Sequence, residues 1–361
     1  METEVLQSAT LAFIVSGLLC GGLVGLILQR GRFCMNSAFR DIIFIKEYNV
    51  FQAYLIALII MLIGGNALAD MDIIHLKAQT FYPVANILGG YLFGLGMVMA
   101  GGCGSGIIYR VGEGQIASIV AVFCFLFGIG ATTNGALKPL YDLLRSFKVA
   151  GAEGAPYTLY GFFGNTPIVK WITIAVFCIA CFAFVLQGKP FAFGKQKGFF
   201  WSVAGLLVGI MGIVTFWASE YWGSPGFARG MNFTTPAGET MFTFLTGDAR
   251  SKFFPMFDLF SFKVTWGEFF YIGVPIGAFI SAKIMREFKW KIPPAREMLT
   301  VMGGSFIMGF GASCAGGCNV GQALTGFTTL SIGSIAATIA IILGNWTMVY
   351  FKFIRPMGDI E

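Results

Sequence analysis

Charge is what this 361-residue chain has least of. Asp, Glu, Lys and Arg make up 12% of it, against about 25% in a soluble globular domain, so too little polar surface exists to dissolve the remainder. Histidine occurs once, at His75, and no acidic cluster accompanies the eight cysteines. That removes the usual ligand sets of a structural metal centre, and none is expected. No glycine-rich run ends in Lys-Ser or Lys-Thr to cradle nucleotide phosphates, and no base is placed to activate a nucleophile, so direct ATP use and nucleophilic hydrolysis find no support. No cofactor is expected. The net charge of +6 is not interleaved with aromatics as a nucleic-acid surface would be.

Apolar residues fill the space, at 56% of the chain with 16% aromatic. Uncharged runs long enough to cross about 30 Å of hydrocarbon begin near Ser8, Val50, Val84, Gln115, Trp171, Gly198, Met298 and Thr325, and a further run, Val264 to Ala282, carries only Glu268. The fold class is therefore all-α, a polytopic membrane protein of about nine transmembrane helices. The first run is preceded by Glu2 and Glu4 rather than lysines and is read as a retained helix, not a cleaved signal.

Lysine and arginine mark the loops that stay in the cytoplasm. The links after odd-numbered spans hold fifteen of the twenty-four, Lys195 and Lys197 among them, while the other nine, including Lys252, are spread over longer segments. The expected orientation places the amino terminus outside and the carboxyl terminus in the cytoplasm of a bacterial inner membrane.

The chain also repeats itself. Ala100-Gly101-Gly102-Cys103 returns as Ala315-Gly316-Gly317-Cys318, 215 positions later, and Gly89/Gly304, Gly94/Gly309, Gly96/Gly311 and Gly106/Gly321 keep the same offset. Gly21 and Gly25 likewise match Gly205 and Gly209, and Met35-Asn36 matches Met231-Asn232 beyond an insertion of about twelve residues near Val214 to Pro225. With four spans in each unit and one between them, the copies enter the membrane from opposite sides. This gives an inverted 4+1+4 repeat: residues 1–150 as the first unit, 151–197 as linking span and loops, and 198–361 as the second. Such repeats are a recurring transporter plan, in which broken or re-entrant helices from both halves meet near the midplane.

Small residues four apart, as at Gly17, Gly21 and Gly25, ordinarily let membrane helices pack closely. Adjacent glycines beside a cysteine differ. Gly101, Gly102 and Gly104, and Gly316 and Gly317 followed by Asn319, are expected to form unwound turns with exposed amides. Cys20, Cys124, Cys178 and Cys181 lie in apolar runs and read as small hydrophobes. Cys34 stands in the polar segment Arg32-Phe33-Cys34-Met35-Asn36, where its counterpart in the other half is Gly230. Cys314 aligns with Met99 and its role stays open.

Through Arg-Phe-Cys-Met-Asn around Cys34 and the Ala-Gly-Gly-Cys turns at Cys103 and Cys318, the chain resembles the YeeE/YedE family of sulfur-compound transporters over nearly its whole length. The resemblance implies an hourglass-shaped protein that takes up thiosulfate, with Cys34, Cys103 and Cys318 lining the path. It also implies a TusA-like sulfur-carrier protein as cytoplasmic partner. The long stretch from Ser219 to Lys263 and the lack of an appended carrier domain are more similar to the YedE branch, which is linked with selenium metabolism, so the substrate is expected to be a small sulfur or selenium anion.

One charge at the bilayer centre costs roughly 2.5 kcal/mol on the lowest scales, whereas a charge-assisted hydrogen bond contributes about 1.5–3 kcal/mol. Three or four turn amides and helix amino termini can therefore offset the lower estimate. The expected mechanism is a relay. Protonated Cys103 and Cys318 hand the anion across a narrow centre by S–H contacts, and Cys34 receives it near Arg32 and Arg40. Secondary candidates for the site are Cys314, Arg32, Asn36 and Asn232. The relay requires Cys103 and Cys318 to be close together and reachable from water. A rival reading, a membrane thiol-redox enzyme working through Cys314, Cys318 and Cys103, explains the cysteines but not the inverted repeat.

Overall fold

The computed structural model describes residues 2–149, 157–164, 166–192, 198–251, 254, 256–259 and 261–358, with backbone alone for 2–10. Residues 151–156, Asn165, Lys195, Lys197 and Lys252, which entered the loop and topology expectations, lie outside the described residues. Among the described residues nine segments are long and apolar enough to cross a membrane: Leu11–Phe44, Asn49–Asp70, Pro83–Gly112, Ile116–Thr133, Pro167–Gln187, Trp201–Gly223, Trp266–Ile284, Ala295–Gly326 and Ile332–Met357. The protein is an all-α polytopic membrane protein. Its strands are a single hairpin, β1 (Phe257–Leu259) and β2 (Phe262–Val264).

Several of these segments are broken. The first contains α1 (Glu2–Arg30) and α2 (Met35–Phe44), and the third contains α4 (Pro83–Met99) and α5 (Gly104–Gly112). In the eighth, α12 (Ala295–Ala315) is followed by a π-helical half, Val320–Gly326. The expected ninth start near Thr325 is thereby corrected to Ile332. The apolar run continues through the break, but Leu330 at φ +51 ends the half-helix before α13 (Ile332–Val349) begins.

Helix pairing follows the repeat. With α3 (Asn49–Asp70), α6 (Ile116–Thr133), α9 (Trp201–Ala218) and α11 (Trp266–Ile284), α1 packs along α11 as α9 packs along α3, and α4 packs along α13 as α12 packs along α6. The pair α4 and α12 maps onto itself. Even the short helices comply: α2 rests on α3 and α13, and its counterpart α10 (Thr235–Thr246) on α11 and α6.

Glycine permits these approaches because a helix without side chains on one stripe lets backbones touch. A Cβ on Gly21 or Gly25 would lie 2.0 Å from the carbonyl oxygen of Phe270 or Val274, and one on the matching Gly205 would lie 2.3 Å from that of Ala53. A Cβ on Gly94 would lie 2.2 Å from the Ile341 carbonyl oxygen, and one on its mate Gly309 would lie 2.5 Å from that of Phe125. Gly94→Ala therefore forces α4 off α13, and overpacking of this kind costs about 1–3 kcal/mol. A lowered melting temperature of the detergent-solubilised variant is expected, and an unchanged one would contradict this contact.

Between the halves, α8 (Pro167–Gln187) packs chiefly on α3 and turns most of its surface outward. Its start is tied to the end of α3, where Asp70 accepts from Lys170 Nζ and, at 2.7 Å, from Trp171 Nε1.

Candidate functional site

The two Ala-Gly-Gly-Cys elements do form turns that break helices. Gly101 has φ +73 and Gly316 has φ +83, left-handed values that glycine adopts without the Cβ clash. Beyond α12 the Gly316 N–H donates to the Ser313 oxygen at 3.3 Å and the Gly317 N–H to the Ala312 oxygen at 2.8 Å. That pair of bonds is a Schellman close, which satisfies carbonyls the helix leaves over.

Each cysteine then caps the half-helix that follows. Cys103, extended at φ −78 and ψ 177, precedes α5, and its Sγ accepts from the Gly106 N–H at 3.3 Å. Cys318 Sγ accepts from the Gly321 N–H at 3.5 Å. A helix start leaves amide donors unfilled and carries partial positive charge. Here the acceptor filling one of them is a thiol, the weakest of the side-chain candidates.

The halves meet at these caps. The Cβ position of Gly104, the residue after Cys103, lies 3.4 Å from Cys318 Cβ and 3.8 Å from its Sγ. Cys34, from the link between α1 and α2, joins from the other side, with its Sγ 3.8 Å from Cys103 Sγ and 2.8 Å from the Cβ position of Gly106. Where Cys34 covers Gly106, the second half offers an amide instead: Asn232 Oδ1 lies 3.5 Å from the Cβ position of Gly321, itself 3.8 Å from Cys318 Sγ. The order across the molecule is thus Asn232, Cys318, Gly104 beside Cys103, then Cys34.

The expectation of water-accessible thiols is not met. Cys34 is 1% exposed and Cys103 and Cys318 are 0%. Water instead reaches the flanking glycines, with Gly101 exposed and Gly316 partly so. The thiols form a closed septum between the exposed Gly101 and the partly exposed Gly316. Sequence could not foresee this, because closure depends on residues such as Phe125, 3.8 Å from the Gly104 Cβ position, that come from other spans.

Other candidates fall elsewhere. Cys314 faces α4, its Cβ 2.7 Å from the Cβ position of Gly89, and serves packing. Arg32 is 72% exposed and pairs with Glu287 at 3.2 Å, while Arg40 pairs with Asp41 at 2.7 Å; neither guanidinium reaches the thiols. Asn36 accepts from Asn345 Nδ2 at 2.8 Å and ties α2 to α13. Asn319 accepts from the Val320 N–H at 3.0 Å and turns its Nδ2 to Met97 on α4. All eight cysteines are free thiols, and the described residues contain no His, Cys, Asp or Glu group arranged for a metal.

Two residues beside the turns were missed. Gln322 donates to the Ala315 oxygen at 2.6 Å and to Gln79 Oε1 at 2.8 Å, and Arg110 Nη1 donates to the Gly101 oxygen. Arg110 carried a signal, since it is the one charge between Lys77 and Glu113.

A family model described as sulphur transport matches residues 30–347. The chain belongs to this family, the YeeE/YedE family. The Thiosulfate transporter TsuA of Escherichia coli K12 is 30% identical over 96% of this chain and 96% of its own length. That of Spirochaeta thermophila is 32% identical over 95% and 100%. The Probable transporter YedE of Escherichia coli K12 is 36% identical over 92 residues, 26% of this chain and 22% of its own. As a YeeE/YedE member with nine spans, the protein is a multi-pass membrane transporter and not an enzyme.

Proposed function

We propose that the protein carries a small sulfur anion, thiosulfate first, inward across a bacterial inner membrane, passing it from Cys318 past Cys103 to Cys34. One observation carries the reading: two oppositely inserted half-helices, each capped by a thiol on its third amide, abut at Gly104 and Cys318. An anion is a far better acceptor than a thiol, so it displaces the sulfur from the amide on arrival and returns it on leaving. The soft terminal sulfur of thiosulfate suits the polarizable thiols, and the full-length likeness to the TsuA proteins favours the same substrate.

The amino terminus lies outside in this reading. Lys283, Arg286, Lys289 and Lys291 then stand on the cytoplasmic face, where a TusA-like carrier would consume the cargo. Purified protein in liposomes is expected to admit radiolabelled thiosulfate faster than empty liposomes, with sulfate failing to compete because it lacks the sulfane sulfur. Uptake of the selenium analogue in preference to thiosulfate would move the substrate assignment to selenium. Uptake of neither would defeat it.

A further inference from the structure

The repeat that builds the septum is symmetric in backbone but not in charge. On one side Arg110, in the last turn of α5, folds back along the helix so that Nη1 meets the Gly101 oxygen and lies 3.1 Å from the Cβ position of Gly102. Side chains on a helix lean toward its amino terminus, which is why a residue six positions beyond Gly104 can reach the turn. The guanidinium therefore lies over Gly102 and the Gly101 carbonyl, beside the exposed Gly101.

At the matching place on the other side, 215 positions on, stands Thr325, whose hydroxyl donates to the Met231 oxygen at 2.6 Å. The Ala315 carbonyl of that turn, one position before the match of Gly101, is held by neutral amides, from Gln322 and, at 2.8 Å, from Asn86 Nδ2. The funnel beyond Arg110 leads to Gln29, which donates to Glu287 Oε2 at 3.0 Å and Glu113 Oε1 at 3.4 Å. Glu113 also accepts from Gln115 Nε2 at 2.8 Å, so both carboxylates are held by neutral amides. Arg32 is committed to Glu287, and Lys352 Nζ donates at 3.3 Å to the Val98 oxygen, which also accepts the Gly101 N–H.

Accordingly, resting on the sulfur-anion reading above, we infer that Arg110 is a substrate-binding residue that receives the anion on the Gly101 side of the septum, making an otherwise two-fold site unequal in affinity from its two faces. The carbonyl bond to Gly101 is the resting latch. An arriving oxyanion replaces the carbonyl as acceptor and gains a charge-assisted, bidentate contact that Gln322, Asn86 and Thr325, the side chains on and opposite the Gly316 turn, do not supply, the Arg145 guanidinium of that side being stacked on Tyr82. For a carrier without energy input the asymmetry leaves the final equilibrium unchanged and appears as different half-saturation from the two sides.

Right-side-out and inside-out membrane vesicles containing the full chain test this with radiolabelled thiosulfate. The wild type is expected to half-saturate at about tenfold lower concentration from the Arg110 face, the worth of one charge-assisted contact over a neutral one. Salt should raise half-saturation from that face alone, since it screens an exposed charge. Arg110→Gln is expected to erase the difference and Arg110→Lys to keep most of it. If Arg110→Gln fails to accumulate, the wild-type salt dependence and Arg110→Lys decide. Equal half-saturation from both faces in the wild type, or an Arg110→Gln variant that keeps the difference, overturns the inference while leaving the transport reading standing. Wild-type vesicles that admit no thiosulfate sink both.

Discussion

Cys103→Ser and Cys318→Ser are each expected to lower thiosulfate uptake about tenfold, and the double variant to abolish it, with normal amounts of protein in the membrane. Serine is a good helix cap, and its hydroxyl accepts an amide N–H better than a thiol does. Each variant therefore keeps the bond now made to Gly106 or Gly321 and strengthens the resting state. What is lost is twofold. The anion must displace a stronger acceptor, and the soft S–H contact to its terminal sulfur disappears. One charge-assisted hydrogen bond is worth about 1.5–3 kcal/mol and every 1.4 kcal/mol is a factor of ten, which sets the expected size. Uptake unchanged in both single variants would remove the thiols from the path. Cys314→Ser, on the α4 packing face, is the control and should leave uptake intact.

Arg229→Met should cost stability more than any other single change in the second half, about 3–5 kcal/mol as a break in a buried ion pair. The pair ties the link before α10 to α10 itself and to the start of α11. Arg229 Nη2 meets Glu239 Oε2 with side chains 3% and 4% exposed, Thr265 Oγ1 donates to the same oxygen at 2.7 Å, and the Phe254 ring lies 4.0 Å from the guanidinium carbon. Glu268, also buried, accepts from the Thr265 N–H at 2.6 Å and caps α11. Without the arginine a carboxylate is stranded in an apolar site. Replacing both partners, Arg229→Met with Glu239→Met, removes the stranded charge and should recover much of the loss. Melting temperatures in detergent check the order. A single variant as stable as the wild type, or a double variant worse than the single, would contradict the account.

The nine spans were legible because hydrocarbon demands uncharged length, and the inverted halves because glycines at a fixed offset pack against equivalent partners. The turns at Gly101 and Gly316 were legible for a related reason, since adjacent glycines beside a cysteine have few uses inside a helix. The nearness of Cys34 to Cys103 was expected through the family resemblance, while its register against Gly106 depends on how the α1–α2 link folds against α5 and no local pattern shows it. Arg110 was counted only as a topology charge, and nothing local distinguishes an arginine that snorkels to water from one that folds back onto a carbonyl. The insertion misled in the opposite sense. Arg229 and Glu239 look like ordinary loop charges until α10 carries one under the other.

The closed septum also has an electrical side. Gly101 is exposed and Gly316 partly so, while the thiols between them are sealed; solvent that carries bulk potential to both glycines makes the membrane voltage fall over the few residues between them rather than over the full bilayer. Each elementary charge crossing 100 mV exchanges about 2.3 kcal/mol with the field, and a doubly charged anion moving toward a negative interior must climb about twice that within this short gap. On the proposed inward path this climb has to be met by a concentration gradient, which consumption of the cargo sustains, and the voltage dependence of the rate would be concentrated at one place in the molecule, the layer formed by Cys318, Gly104 and Cys103.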